Sequence, residues 1–277
     1  MRTAMHLPQG TLAEVLHGIG FMSTLDEAWP PAQPHLNRFP AMVYCSITLI
    51  LDGAVALPAP EQGGARALSG LLVSGPRTRP VTSVSLAPVR SLSAILYPDA
   101  FHLLTGIAPA RLQDRDEPAA GWLDADWEAW PQALRERAGN ETAQAAWIES
   151  WLAARWQHKR AGWDPGLGES LRGIASHEGV AETARTLGVG ERQAQRRYRE
   201  QIGVTPAQAR RLQRMNEAVY ALRDPAASMD TLAALAAELG YADQAHMARE
   251  LRELTGLPPS RLEAHIASDR DYWAYRL

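Results

Sequence analysis

The chain has 277 residues, of which 46% are hydrophobic, and its formal net charge at pH 7 is −3. This length predicts two domains, because a typical domain has about 100–200 residues. No segment approaches the ~20 consecutive apolar residues of a membrane-spanning helix, and the first residues lack the apolar run of a secretory signal, so we expect a cytoplasmic protein without a membrane partner.

Cys45 is the single cysteine of the chain. One cysteine excludes an internal disulfide and any zinc site built from several thiolates. Because it lies in the apolar run AMVYCSITLI, it is typical of a small buried hydrophobic side chain, and we assign it no role.

Short apolar runs separated by proline and glycine predict β-strands in the N-terminal part. These runs lie at 41–51, 71–74, 81–86 and 89–97. Asp52 and Gly53 directly follow the first run and predict a hairpin turn. Short strands at this spacing predict a small β-sandwich or β-barrel.

From about residue 124 the composition changes to Ala, Glu, Arg and Trp, which predicts helices. Residues 141–157 predict one helix, on which Trp147 and Trp151 lie four positions apart in a wide apolar stripe. The stripe fits either packing within the domain or a seam between two copies of the chain. Residues 161–166 predict a linker that ends at a helix start.

Two segments of the C-terminal part, 182–206 and 234–259, resemble each other. The matched pairs are Ala184 and Ala236, Leu187 and Leu239, Gly188 and Gly240, Arg196 and Arg249, Tyr198 and Leu251, Gly203 and Gly256, and Pro206 and Pro259. Each copy predicts a helix, a turn at a left-handed glycine and a second helix. This is the pattern of a helix-turn-helix, whose second helix enters the major groove of DNA.

The second helix of the first copy carries its polar side chains on one arc. At 100° per residue, this arc holds Arg192, Gln195, Arg196 and Arg199, turned away from the apolar stripe. Arg and Gln can bind guanine and adenine edges bidentately, and the local charge of +5 over 180–215 suits a phosphate backbone. A solvated helix face explains the arc alone, but the turn, the repeat and the charge together favour DNA contact.

The second copy has a weaker basic character, with five acidic residues and two arginines in 230–256. Its outward arc holds Arg249, with Gln244 and His246 at the flanks. We therefore predict that the first unit makes most base contacts; a purely structural second unit is the alternative. Residues 206–222 predict a stiff helix between the units, so that one chain could contact two major grooves about 34 Å apart.

The two segments ARTLGVGERQAQRRYREQIGVTPAQARRLQRMNEA and AALAAELGYADQAHMARELRELTGLPPSRLE resemble the AraC/XylS regulators. The resemblance covers about 100 residues and implies a seven-helix DNA-binding domain with two reading helices. By position it implies base-contacting residues in each helix: Arg192, Gln195 and Arg196 in the first, and Gln244, His246 and Arg249 in the second. Ala194, Tyr198, Met247 and Leu251 depart from the family pattern but stay apolar.

The N-terminal part also looks like the sensor half of one subgroup of this family, through RFPAMVYCSITLILDG, LLVSGPRT and ILYPDAFHLLTGI. This resemblance implies a cupin-like β domain. We therefore expect an α+β chain of two domains: a β-rich cupin-like barrel or sandwich with flanking helices at 1–158, which senses a signal or dimerises, and an all-α domain with two helix-turn-helix units at 165–266.

Three alternatives to a regulator that senses a small molecule follow from the sequence. A metal-dependent cupin-type enzyme needs clustered histidines and a carboxylate, whereas His6, His17, His35 and His102 are scattered. An alkyl-accepting repair protein needs a reactive cysteine in a basic setting, which Cys45 lacks. A regulator whose N-terminal domain only binds a protein or dimerises would fit the Trp-rich segments, and the sequence does not decide against this alternative.

We therefore expect a transcription regulator that binds double-stranded promoter DNA under the control of an unidentified small molecule or partner. We place the effector near Trp29, Arg38 and Tyr44, and expect no catalytic residue, metal or cofactor. A homodimer would fit the tryptophan stripe, and an activator would also contact RNA polymerase.

Overall fold

The computed structural model describes residues 1–27, 34–59, 64–162, 180–186, 188–223 and 232–277. Strands dominate up to residue 118, and the described residues from 180 onward are mainly helical. The predicted α+β class, a β-rich N-terminal part followed by a helical part, is therefore confirmed. In the described part of the chain, no helix combines the length and apolar character needed to cross a bilayer.

The N-terminal part is one curved antiparallel sheet. Its strands are β1 (Arg2–His6), β2 (Leu16–Ser23), β3 (His35–Phe39), β4 (Cys45–Ala59), β5 (Gly64–Ser74), β6 (Val81–Ser85), β7 (Arg90–Leu96) and β8 (Asp116–Pro118). The main order is β1-β2-β7-β4-β5-β8, while β6 pairs with the second half of β4 and also with β3. The three later strand predictions are confirmed, whereas the sequence did not predict β1, β2, β3 and β8.

The hairpin predicted at Asp52 and Gly53 is wrong, because β4 continues through both residues. It pairs with β5 on both sides of this point, with a register shift between Ile50 and Val55. Gly53 has φ +79°, and a Cβ at this position would lie 2.4 Å from the Pro88 carbonyl oxygen. The glycine therefore bends one long strand at a bulge, and β4 continues to Ala59, which pairs with Gly64 of β5.

Three helices pack against one face of this sheet: α1 (Pro98–Thr105), α2 (Ala129–Glu136) and α3 (Glu141–Lys159). The helix predicted at 141–157 is thus confirmed, and α1 was not predicted. Trp147 and Trp151 pack on the buried rings of Trp127 and Trp130 within this layer. This packing supports the first interpretation of the tryptophan stripe, and dimerisation remains a prediction.

The C-terminal part contains six further described α-helices: α4 (Val180–Thr186), α5 (Glu191–Ile202), α6 (Pro206–Arg223), α7 (Leu232–Glu238), α8 (Gln244–Thr255) and α9 (Pro259–Ser268). The connecting helix predicted at 206–222 corresponds to α6, which buries Leu212, Met215 and Val219 at core spacing. A 3-10 segment, Arg270–Tyr275, follows α9. The linker predicted at 161–166 lies largely outside the described residues.

Candidate nucleic-acid interface and internal cavity

The first helix-turn-helix unit consists of α4 and α5, joined by a turn at Gly188. Gly188 has φ +61°, and the backbone N–H of Val189 donates to the carbonyl oxygen of Ala184 at 2.9 Å. Helix α5 buries Ala194, Tyr198 and Ile202. This fixes which face of α5 is turned outward.

The second unit, α7 and α8, repeats this geometry. Gly240 has φ +72°, and the N–H of Tyr241 donates to the carbonyl oxygen of Ala236, again at 2.9 Å. Both second helices end at a left-handed glycine, Gly203 in α5 and Gly256 in α8. The repeat predicted from the sequence is therefore a repeat of backbone conformation.

The predicted base-contacting residues lie on the second helix of each unit, and all but one are exposed. On α5, the predicted residues Arg192, Gln195, Arg196 and Arg199 are all exposed. On α8, Gln244 and Arg249 are exposed, whereas His246 is half-buried beside the ring of Tyr241. The exposed arc of α5 therefore carries three arginines, and that of α8 carries Arg249 and Arg252.

Helix α8 is held against α6 by a buried ion network that the sequence analysis missed. Glu250 of α8 is 6% exposed and contacts Arg211 at 2.9 Å and Arg214 at 3.0 Å. The guanidinium of Arg214 also lies 4.8 Å from the ring centroid of Tyr241, next to the turn of the second unit. The Glu250 carboxylate therefore links α8 to α6, and Arg214 links α6 to the turn of the second unit.

The described residues within 183–265 form the helices and glycine turns just set out, and this range matches the family model described as "Helix-turn-helix domain", which is of the AraC type. The chain carries an AraC-type helix-turn-helix domain. The match covers 83 of the 277 residues, and it supports a DNA-binding role for this part of the chain. The N-terminal part lies outside the match, and no curated protein matches the chain.

Several solved structures are similar to the chain. An apo form of a ToxT variant from Vibrio cholerae strain SCE256 shows 9% identity and a TM-score of 0.48, over 89% of this chain and 96% of that one. ToxT bound to unsaturated fatty acid, from the same strain, shows 10% identity and a TM-score of 0.43, over 83% and 94%. The C-terminal domain of AraT from Geobacillus stearothermophilus shows 17% identity and a TM-score of 0.32, over 37% and 87%. Since these TM-scores are below 0.5, the AraC-type assignment depends on the family match.

The AraC-type domain contacts the N-terminal domain at the end of α5. A Cβ at Gly203 would lie 2.8 Å from Pro76 Cγ and 2.9 Å from Pro109 Cβ, whereas a Cβ at Gly256 would meet no atom within 4 Å. Both glycines have a positive φ, +89° and +86°. The two helix ends therefore differ in their neighbours and not in their backbone.

We expect Gly203→Ala to lower the free energy of unfolding by about 2 kcal/mol and Gly256→Ala by about 1 kcal/mol. Both substitutions strain a left-handed backbone, but only the first also forces Pro76 and Pro109 away. Urea unfolding of both variants measures the difference. Equal losses would contradict the close packing of the N-terminal domain on the end of α5.

A cavity of about 270 Å³ lies on the face of the sheet opposite α1, α2 and α3. Short hydroxyl side chains of β4 and β7 leave room on this face: Ser46, Thr48, Ser91 and Ser93. Apolar side chains form most of the remaining wall. Two parts of the C-terminal half complete it: α6 through Val219 and Arg223, and the segment after α9 through Trp273 and Leu277.

The three residues expected near an effector have different positions. Tyr44 lines the cavity and stacks on His17 at 4.2 Å between ring centroids. Arg38 lies on β3 between Asn37 and Phe39, which line the cavity, but Arg38 itself does not. Its guanidinium lies 5.5 Å from the ring centroid of Tyr272. Trp29 lies outside the described residues. Trp273 was missed, although the sequence Tyr-Trp-Ala-Tyr after residue 271 is an apolar signal that could have indicated it.

The histidines weighed for a metal site have separate surroundings. His6 contacts Glu149 at 3.0 Å, and His17 packs on Tyr44, where burial lowers its pKa. His35 accepts a hydrogen bond from Arg270 at 2.8 Å. Across the described ranges, no cluster of three or more His, Cys, Asp or Glu is arranged for a metal ion.

Proposed function

We propose that the protein is a sequence-specific transcription regulator that reads two adjacent major grooves with α5 and α8 and responds to a small molecule bound in the cavity. The single observation that carries the proposal is the repeated helix-turn-helix geometry with exposed arginines on the outer face of α5. Arg192, Gln195, Arg196 and Arg199 would make most of the base and phosphate contacts. Gln244, His246 and Arg249 would add fewer contacts from α8.

The cavity supports control by a small molecule because its walls come from both halves of the chain. A ligand inside it would touch the sheet and also α6, which connects the two reading units. Such a ligand would change DNA affinity only if it binds one arrangement of the halves better than the other. ToxT has been solved with an unsaturated fatty acid bound, and such an acid would be one candidate class to test.

Selection of bound fragments from genomic DNA by the full chain tests this function. We expect a site with two half-elements about one helical turn apart, and an affinity that falls steeply with salt concentration. Binding without sequence preference at every salt concentration would contradict the proposal. Metal analysis of the same sample tests the enzyme alternative, which needs a stoichiometric transition metal.

Regulation could also involve protein partners. An activator would contact RNA polymerase, and a dimer would double the number of reading helices on one site. Sedimentation of the chain with and without the selected DNA fragment measures whether it forms a dimer.

A further inference from the structure

Residues 269–277, which we name the closing segment, follow the matched AraC-type domain and bind the N-terminal sheet. Trp273 donates its indole N–H to Oδ1 of Asn37 on β3 at 3.0 Å. Arg270 donates to Nδ1 of His35 on the same strand at 2.8 Å. The closing segment therefore bonds to β3 through two side chains that are more than 200 residues away in sequence.

The closing segment is also bonded to the AraC-type domain. Tyr275 donates its hydroxyl to the carbonyl oxygen of Thr255, at the end of α8, at 3.1 Å. Arg276 donates to the carbonyl oxygen of Ile266 in α9 at 2.8 Å. Arg223 of α6 donates to the carbonyl oxygen of Arg276. A displacement of the closing segment would therefore alter contacts of α6, α8 and α9 together.

The indole of Trp273 occupies an apolar slot that ends in one fixed hydrogen-bond acceptor. The ring packs edge-to-face on Phe39, with 5.5 Å between centroids. Asn37 donates its amide N–H groups to Ser83 at 3.2 Å and Ser85 at 3.0 Å, which leaves Oδ1 for the indole. Trp273 belongs to a buried apolar cluster whose other buried members are Met22, Ile50, Leu68, Leu72 and Val89. Such a slot fits a planar aromatic ring that carries an N–H or O–H donor.

The slot and the cavity share their walls. Asn37, Trp273 and four of the other five buried members of this cluster line the cavity, and Val89 is the exception. The two are therefore one chamber, part of which Trp273 fills. The free volume of about 270 Å³ is close to the lower end of small-molecule sites, which is ~300 Å³. A molecule that enters the free part would meet the face or edge of the indole.

We propose that this chamber binds a planar aromatic molecule with an N–H or O–H donor, which takes the place of the Trp273 side chain at Asn37 and so releases the closing segment. The inference rests on the proposed function, since it names the ligand class of that cavity. Release breaks the hydrogen bond between Trp273 and Asn37 and frees the AraC-type domain from one of its attachments to the N-terminal domain.

Indole is the probe, and indene, which has the same shape without the N–H donor, is its control. Calorimetry on the full chain measures affinity, and hydrogen exchange measures protection of residues 269–277. We expect indole to bind at least tenfold tighter than indene and to raise exchange in the closing segment. Trp273→Ala should bind indole at least tenfold tighter than the unchanged chain, because the internal competitor is gone.

Trp273→Phe keeps an aromatic ring in the slot without a donor to Asn37, and serves if the alanine variant does not fold. It should bind indole more tightly than the unchanged chain does. Indole binding without increased exchange at 269–277, or equal affinity in the Trp273 variants and the unchanged chain, would overturn the proposal. So would an absence of binding at millimolar indole.

The same samples separate this inference from the proposed function. Affinity for the selected DNA fragment is measured on the unchanged chain without any probe. If the chain binds the DNA fragment specifically but indole neither binds nor raises exchange in the closing segment, only the proposed ligand class and the release of the segment are refuted. If the unchanged chain shows no sequence-specific DNA binding, the proposed function is refuted, whatever the response of the closing segment to indole.

Discussion

Replacing Glu250 by glutamine is expected to lower the free energy of unfolding of the AraC-type domain by about 3 kcal/mol. Removing one partner of a buried ion pair costs ~3–5 kcal/mol because it leaves charges without compensation. We expect the lower end of this range, because the side chains of Arg211 and Arg214 are 34% and 30% exposed and so remain partly hydrated. Urea unfolding followed by the helical circular dichroism signal measures the loss.

Glu253→Gln is the matched control, because Glu253 contacts the same Arg211 at 2.6 Å but is 63% exposed. An exposed ion pair contributes about 0–1 kcal/mol, so this variant should unfold almost as the unchanged chain does. If both variants lost the same stability, Glu250 would not be the residue that positions α8. A second readout follows from that position: Glu250→Gln should weaken the preference for the half-element read by α8 and spare the other.

Arg196→Ala is expected to reduce affinity for the selected DNA site about 10- to 100-fold. A bidentate contact of arginine with a guanine edge provides ~1–3 kcal/mol of discrimination, and 1.4 kcal/mol corresponds to a factor of ten. The variant should also accept other bases at one position of the site. Fluorescence anisotropy with each single-base change of the site measures both effects.

Two comparisons make this prediction specific. Arg135→Ala removes an exposed arginine from α2 of the N-terminal domain and should leave DNA affinity unchanged. Arg249→Ala should cost less than Arg196→Ala, because the surroundings of α8 are more acidic. Equal costs at Arg196 and Arg249 would show that both units contribute equally, against the predicted asymmetry.

The helix-turn-helix units could be predicted from the sequence because their signals are local. Gly188 and Gly240 stand where a helix must end in a left-handed residue, and both have a positive φ. The apolar residues of α5 recur at helical spacing, and Ala194, Tyr198 and Ile202 are buried as expected. The Glu250 network joins residues 36 and 39 positions apart, so no local pattern indicated it.

The sheet was predicted less completely because strand pairing joins distant residues. Strand β2 contains Gly18 and Gly20, which weaken a strand signal, yet a Cβ at Gly18 would lie 2.7 Å from Met5 Sδ of β1. The glycine is thus explained by a neighbouring strand that the sequence alone did not place. The Asp52-Gly53 pair led to a wrong prediction for a similar reason. Because β4 pairs with β5 both before and after these two residues, they lie in a bulge of one strand and not in a hairpin turn.

Trp273 shows why the wall of the cavity could not be predicted. Its partner Asn37 is 236 positions earlier in the chain, and the two meet only when the helical part docks on the sheet. The predicted C-terminal domain ended at residue 266, before the closing segment. Tyr44 could be suggested because it directly precedes β4, within the apolar run 41–51 that the sequence did indicate.

Because α6 and the closing segment complete the cavity wall, the two halves are not interchangeable modules. A chimera that joins residues 1–158 to the DNA-binding domain of another regulator would lack Val219, Arg223 and Trp273. Its sheet would expose an apolar slot to water, and its response to a ligand would not pass to the new partner. Under the proposed function, specificity for the signal would be encoded in both halves, and a change of signal would require matched substitutions in each.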